Sequence, residues 1–139
     1  VSIMKKFLLL LLLLTSCTTL KKNYGPQPEY INRWCGTVLI VNVFYEFNEN
    51  GTYLEGTFAV NNVQVGGTRG LWKAESEDIV KLHQLDEYEF DNDTLKGQWV
   101  SRPKIYDIGV KVADGKIYID IDQNGDTVMY LSRCEEEEI

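Results

Sequence analysis

The sequence has 139 residues with 14 basic side chains, 21 acidic ones and a single histidine, a formal net charge of −7 at neutral pH. That length fits one domain around one core. The acidic balance argues against nucleic acid and anionic lipid surfaces as partners, because both recruit an excess of positive charge.

In chain order, the first feature is Met4-Lys5-Lys6, where translation is expected to start, followed by the unbroken apolar run Phe7–Leu14. A short basic segment leading into such a run is the pattern of a secretory signal peptide. Eight apolar residues cannot cross a bilayer, which takes about 20 in a helix. Leu14-Thr15-Ser16-Cys17 resembles a bacterial lipobox: an aliphatic residue, two small ones, then the cysteine whose thiol forms a thioether with diacylglycerol. The resemblance implies a signal peptide over residues 1–16 and acyl chains, palmitate among them, on Cys17. Two or more chains on one residue anchor durably where one would be marginal. Thr18, in place of Asp, favours the outer membrane by similarity to Gram-negative lipoproteins, on either face.

Residues 17–33 read as the lipidated cysteine and a polar tether containing Pro26 and Pro28, with the folded domain over residues 34–139. Sixteen tether residues reach roughly 50 Å when fully extended. Without Lys5 and Lys6, 12 basic residues face 21 acidic ones, a net charge of −9. With Cys17 taken by lipid, Cys35 and Cys134 remain, and an oxidising compartment favours one disulfide between them. The acidic run Glu135–Glu138 reads as a solvated tail.

The domain reads as strands. Leu39, Val41, Val43, Tyr45 and Phe47 alternate with Ile40, Asn42, Phe44 and Glu46, a period of two. Asn48-Glu49-Asn50-Gly51 is a hairpin turn, since Asn-Gly supplies the positive φ that tight turns need. Leu54–Val60 alternates next, and Asn61–Gly70 reads as a loop before Leu71–Lys73. Ile79–Gln84, Tyr88–Phe90, Leu95–Val100, Ile105–Val112, Lys116–Asp122 and Thr127–Arg133 complete nine candidates. Such short strands, joined by Gly and Asn turns, predict an all-β antiparallel up-and-down barrel of about eight strands. In a closed even-stranded barrel the first and last strands are antiparallel neighbours, which brings Cys35 beside Cys134. Eight strands require one weak candidate such as Tyr88–Phe90 to merge with a neighbour, or the first long strand to break in two.

Phe47-Asn-Glu-Asn-Gly-Thr-Tyr53 resembles the F-x-x-[DN]-G-T-Y hairpin of small bacterial lipocalin-like lipoprotein domains, and Gly70-Leu71-Trp72 is similar to their G-x-W strand. Ile79–Leu82 and Asp93-Thr94-Leu95 look like the segments that follow. At the first strand, Trp34-Cys35-Gly36-Thr37 reverses the family's Gly-x-Trp order. The resemblance spans roughly Trp34–Val100 and implies a non-enzymatic barrel that binds a small apolar ligand.

The residues offer little chemistry. Asp120-Ile-Asp122-Gln-Asn124-Gly125-Asp126 matches half of a calcium loop, but the twelfth position is Leu131, not Glu. It reads as a strand ending in an Asn-Gly hairpin. His83 shares a strand face with Lys81, opposite Val80 and Leu82, and is expected to point outward. No partner stands at a triad spacing, so no catalytic residue, metal or cofactor is expected. Phe58, Trp72, Tyr88 and Trp99 are the candidate pocket residues, with Gly56 and Gly97 expected to face inward and leave room. The competing expectation is an envelope structural or inhibitor-type protein whose Asn61–Gly70 loop meets a protein partner.

Overall fold

A computed structural model describes residues 28–125 and 128–134. The signal peptide, Cys17, most of the tether and Glu135–Glu138 lie outside the described residues. A short 3-10 helix, Pro28–Tyr30, precedes eight strands: β1 (Asn32–Val38), β2 (Val41–Phe47), β3 (Thr52–Phe58), β4 (Gln64–Ala74), β5 (Ile79–Asp91), β6 (Lys96–Ala113), β7 (Lys116–Asp120) and β8 (Val128–Arg133). Each pairs antiparallel with the next, and β8 returns to β1, closing an up-and-down barrel.

The nine sequence candidates become eight strands through one break and two mergers. The first long strand breaks at Leu39-Ile40, a two-residue turn between Val38 and its partner Val41. Ile79–Gln84 and Tyr88–Phe90 join as β5, while the two candidates between Leu95 and Val112 join as β6. Both long strands carry their irregularity at one level, where Leu85 stands opposite Arg102-Pro103 and the register shifts. Proline has no N–H for a ladder, and a bulge is where a strand tolerates it. The Gln84 amide donates to the Arg102 carbonyl at 3.1 Å, pairing a group the bulge would otherwise orphan.

The expected Asn61–Gly70 loop is a correction. Strand β4 begins at Gln64 and pairs with β3 from Gln64↔Phe58 to Leu71↔Thr52. Its glycines read as loop, but the β3 backbone comes very close here. A Cβ on Gly67 would lie 2.6 Å from the Glu55 carbonyl oxygen.

Alternation along the strands fills the inside. Val43, Tyr45 and Phe47 of β2 point in, as do Trp72 of β4 and Val80 and Leu82 of β5. His83 is exposed on the other face, as its alternation predicts. The folded part also begins earlier than residue 34. Tyr30 is buried, its hydroxyl donates to the Glu77 carbonyl, and its own carbonyl accepts from the Trp34 indole N–H at 3.3 Å. Tyr30 thereby plugs the end of the barrel at which the chain enters, called the near end here. The turns of β1–β2, β3–β4, β5–β6 and β7–β8 lie at the opposite, far end.

The closing pairing is the shortest. Strands β1 and β8 hold only Trp34↔Arg133 and Cys35↔Ser132 in register. Cys35 and Cys134 are bonded beside it, with Cα atoms 4.9 Å apart. Gly36 faces inward there: a Cβ would sit 2.6 Å from a Leu131 methyl, so the absence of one lets β8 close.

Candidate functional site on the outside of the barrel

The barrel interior divides into an apolar near half and a polar far half. In the near half, Trp34, Val80, Leu82, Ile108, Ile117, Ile119 and Leu131 have no solvent exposure. Phe47 packs edge-on against Trp72, with centroids 5.4 Å apart, and the Trp72 indole donates to the Asn48 carbonyl at 3.0 Å. Aromatic side chains therefore occupy the volume in which a carrier would hold its ligand.

In the far half the inward residue of β3 is Glu55. Its carboxylate accepts from the hydroxyls of Thr57 at 3.1 Å and Thr68 at 3.4 Å, and Tyr53 donates to the Thr68 oxygen at 3.3 Å. Burial pushes the Glu55 carboxyl above its ordinary range, and the two threonine hydroxyls only partly offset it. Burial likewise raises Tyr45, Tyr53 and Tyr106 in the same layer. Nearer the far opening, Arg102 pairs with Glu87 and Glu89 in exposed contacts that add little stability. Glu55 and its hydroxyls satisfy one another, which suits a structural network better than a vacant binding site.

The four candidate pocket residues do not converge. Trp72 belongs to the core. Phe58 lies on the outer face, stacked on Phe44 at 5.7 Å. Tyr88 and Trp99 pair across β5 and β6, also outside, with centroids 5.4 Å apart. The Arg69 guanidinium covers the Trp99 ring at 4.4 Å and bonds Asp86 at 2.8 Å. Gly56 and Gly97, expected to face inward, face outward instead. A Cβ on Gly56 would strike the Phe44 ring, and one on Gly97 would strike Tyr88. The register carries the reason: Gly56 is opposite Phe44, and Phe44 alternates with inward Val43 and Tyr45.

The outer face of β8, β1 and β2 holds the arrangement with most chemical content. The narrow β1–β8 seam leaves a depression of about 610 Å³ between the disulfide and the β3–β4 turn. Phe44, Phe58 and the Cys35–Cys134 bridge supply its apolar surface, and Arg33 supplies its charge. Arg33 stands opposite Glu46 in the register, yet its guanidinium lies over the Phe44 ring at 4.4 Å. Arg133 stands opposite inward-facing Trp34 in the register, with its guanidinium 6.0 Å from that ring's centroid, so its side chain lies on the inner face at the near end and not over the depression. Neither arginine forms an ion pair among the described residues. Asn42 and Thr37 bond each other at 3.0 Å along the rim, and Asn62 closes its far end. Sequence reading missed this site because Phe44 and Arg33 look like ordinary outward residues until closure sets β8 against β1.

Among the described residues no three His, Cys, Asp or Glu side chains converge to hold a metal ion. Asp120, from the half-matching calcium loop, accepts the Gly125 N–H at 2.9 Å and so shapes its own turn.

No protein-family model matches this chain, and neither a curated protein nor a solved structure matches it significantly.

Proposed function

We propose that the protein is a non-enzymatic binding module of the bacterial cell envelope, held to the outer membrane by lipid on Cys17, which takes its ligand on the outside of the barrel. The ligand class is a small, largely apolar molecule with an acidic head. Its body would lie against Phe44 and Phe58, and its carboxylate or phosphate against Arg33. One observation carries this reading: an arginine without an ionic partner among the described residues lies over an aromatic floor, in a chain whose net charge is −7. An arginine in such a place offers forked donors to an anion. The filled near half of the barrel favours the outside over the interior carriage that the lipocalin-like resemblance implies.

Titration of the chain with a long-chain fatty acid tests the proposal. Hydrogen bonds to charged groups contribute about 1.5–3 kcal/mol, so Arg33→Gln should weaken binding by roughly tenfold or more, while Arg133→Gln, on the other face of the sheet, should not. Unchanged affinity in Arg33→Gln would refute the site.

A further inference from the structure

The far end of the barrel carries a second feature that the seam depression does not use. The β1–β2 turn is Leu39-Ile40, with Leu39 94% and Ile40 77% exposed. The β3–β4 turn beside it spans Ala59 to Val63, with Val60 77% exposed and Val63 also open to solvent. Asn42 pairs with Phe58, which sets the two tips side by side, and a shallow depression of about 450 Å³ joins Ile40 and Val41 to Ala59 and Val60. From Val38 to Val41 and from Ala59 to Val63 there is no charged residue.

Single exposed apolar side chains are common on any protein, but a contiguous group on two neighbouring tips is not. Local conformation sharpens the contrast. Leu39 holds φ at 58°, in the left-handed region that tight turns normally assign to Gly, Asn or Asp. A leucine there is disfavoured both by its backbone and by its exposure, a combination that recurs in this protein at Leu95 of the β5–β6 turn.

Three backbone N–H groups of the wider tip are satisfied from within. The Ala59 N–H donates to the Val63 carbonyl at 2.9 Å, the Asn62 N–H to the Ala59 carbonyl at 2.9 Å, and the Val63 N–H to the Asn61 side chain at 3.3 Å. Peptide groups paired in this way can leave water without the penalty of unmade hydrogen bonds.

Charge separates these two tips from the other turns. The near-end turns carry Glu49, Glu75, Glu77, Asp78 and Asp114, and the remaining far-end turns carry Asp93 and Asp122. A membrane surface bearing anionic lipid repels those turns and is indifferent to the two uncharged tips. Chain length permits the orientation: the ten residues from Thr18 to Gln27 span at most about 33–36 Å, and seven-residue β1 rises about 24 Å. The barrel can therefore invert on its anchor, and an anchored domain meets its own bilayer at high effective concentration.

We propose that Leu39, Ile40, Val60 and Val63 rest in the interfacial layer of the bilayer that lipid on Cys17 binds, so that the barrel leans on the side of its far end that these two tips form, with the acidic β5–β6 and β7–β8 turns on the other side. The inference rests on the lipid-anchor reading. It also brings Asn62, at the open end of the seam depression, to the lipid surface, where an amphipathic anion could enter from the membrane.

The test uses the full chain, carrying its lipid, on protein-free phosphatidylcholine vesicles with brominated acyl chains. Val60→Trp places an indole on a tip, and Glu49→Trp places one in an exposed near-end turn. Bromine quenching of the added fluorescence should be several-fold stronger for Val60→Trp. Flotation of the vesicles separates the two readings. If the chain floats and both indoles are quenched alike, or only Glu49→Trp is, the tip inference falls while the anchor stands. If Val60→Trp is unquenched on floated vesicles and the protein is dimeric, the tips belong to a second copy and the inference is wrong. If the chain does not float, the anchor reading fails and this inference falls with it.

Discussion

Cys35 and Cys134 are joined beside the shortest strand pairing of the barrel, where β1 and β8 hold two residue pairs in register while each other pairing holds at least five. The bridge therefore closes covalently the seam that the backbone ladder closes least. It links positions 99 residues apart, so nearly the whole domain lies within one loop.

Replacing both cysteines with alanine removes that constraint on the unfolded chain. The chain-entropy account gives a loss of up to about 4–5 kcal/mol for a loop of this length. Urea unfolding of the double variant should show a lower midpoint at a changed denatured-state compactness. A loss below about 1 kcal/mol would mean that the seam holds without its staple.

Glu55 predicts a pH dependence of stability. Burial holds its carboxyl above the ordinary glutamate value of 4.5. The folded state then binds the proton more tightly than the unfolded chain. Its contribution is full below pH 4.5 and is lost as pH rises through the folded value. Glu55→Gln keeps both oxygen-sized positions without the charge. This variant should flatten that limb of the pH profile and be at least as stable as the parent at pH 7. A parent whose stability instead rises over the same window would contradict the assignment.

Gly70 lies where β4 passes the β5 bulge, and a Cβ there would stand 1.9 Å from the His83 carbonyl oxygen. Backbone cannot yield as a flexible side chain would. Gly70→Ala should cost about 1–3 kcal/mol, as overpacked sites do. By contrast, no atom lies within 4 Å of the position a Cβ would take on Gly115, so the cost of Gly115→Ala would come from its φ of 74° alone. Thermal denaturation of the two variants separates clash from backbone strain.

Cys17→Ser should release the protein from membranes into the soluble fraction of fractionated cells. Acyl chains on that residue are the proposed source of membrane affinity. Retention of the serine variant on membranes would leave the anchor elsewhere.

Much of the fold was legible because alternation with a period of two survives in nearly every strand. Leu54–Phe58 and Ile117–Ile119 needed no tertiary knowledge. A break in the first long strand was an open alternative, but its place at Leu39-Ile40 was not legible, because that turn carries none of the residues that mark turns and continues the pattern on either side. The Gly66-Gly67 pair misled in the other direction, reading as loop where the close approach of β3 leaves no room for a side chain at Gly67. Facing was harder still. Alternation puts Gly56 and Gly97 on one face with Phe58 and Trp99, which reads as the inner face, but register against β2 and β5 places both outside. The seam site depends on residues from β1, β2, β3 and β8, and no local pattern shows that closure brings Ser132 and the disulfide beside Phe44 and Arg33.

The most direct measurement is a titration of the isotopically labelled chain with a long-chain fatty acid, followed through backbone amide shifts. The account predicts the largest changes at Gly36, Thr37, Asn42 and Ser132 around the seam, with Trp72, Val80 and Leu82 unmoved. Shifts concentrated on those three interior residues would show that the ligand enters the barrel, and no shifts at all would remove the binding site.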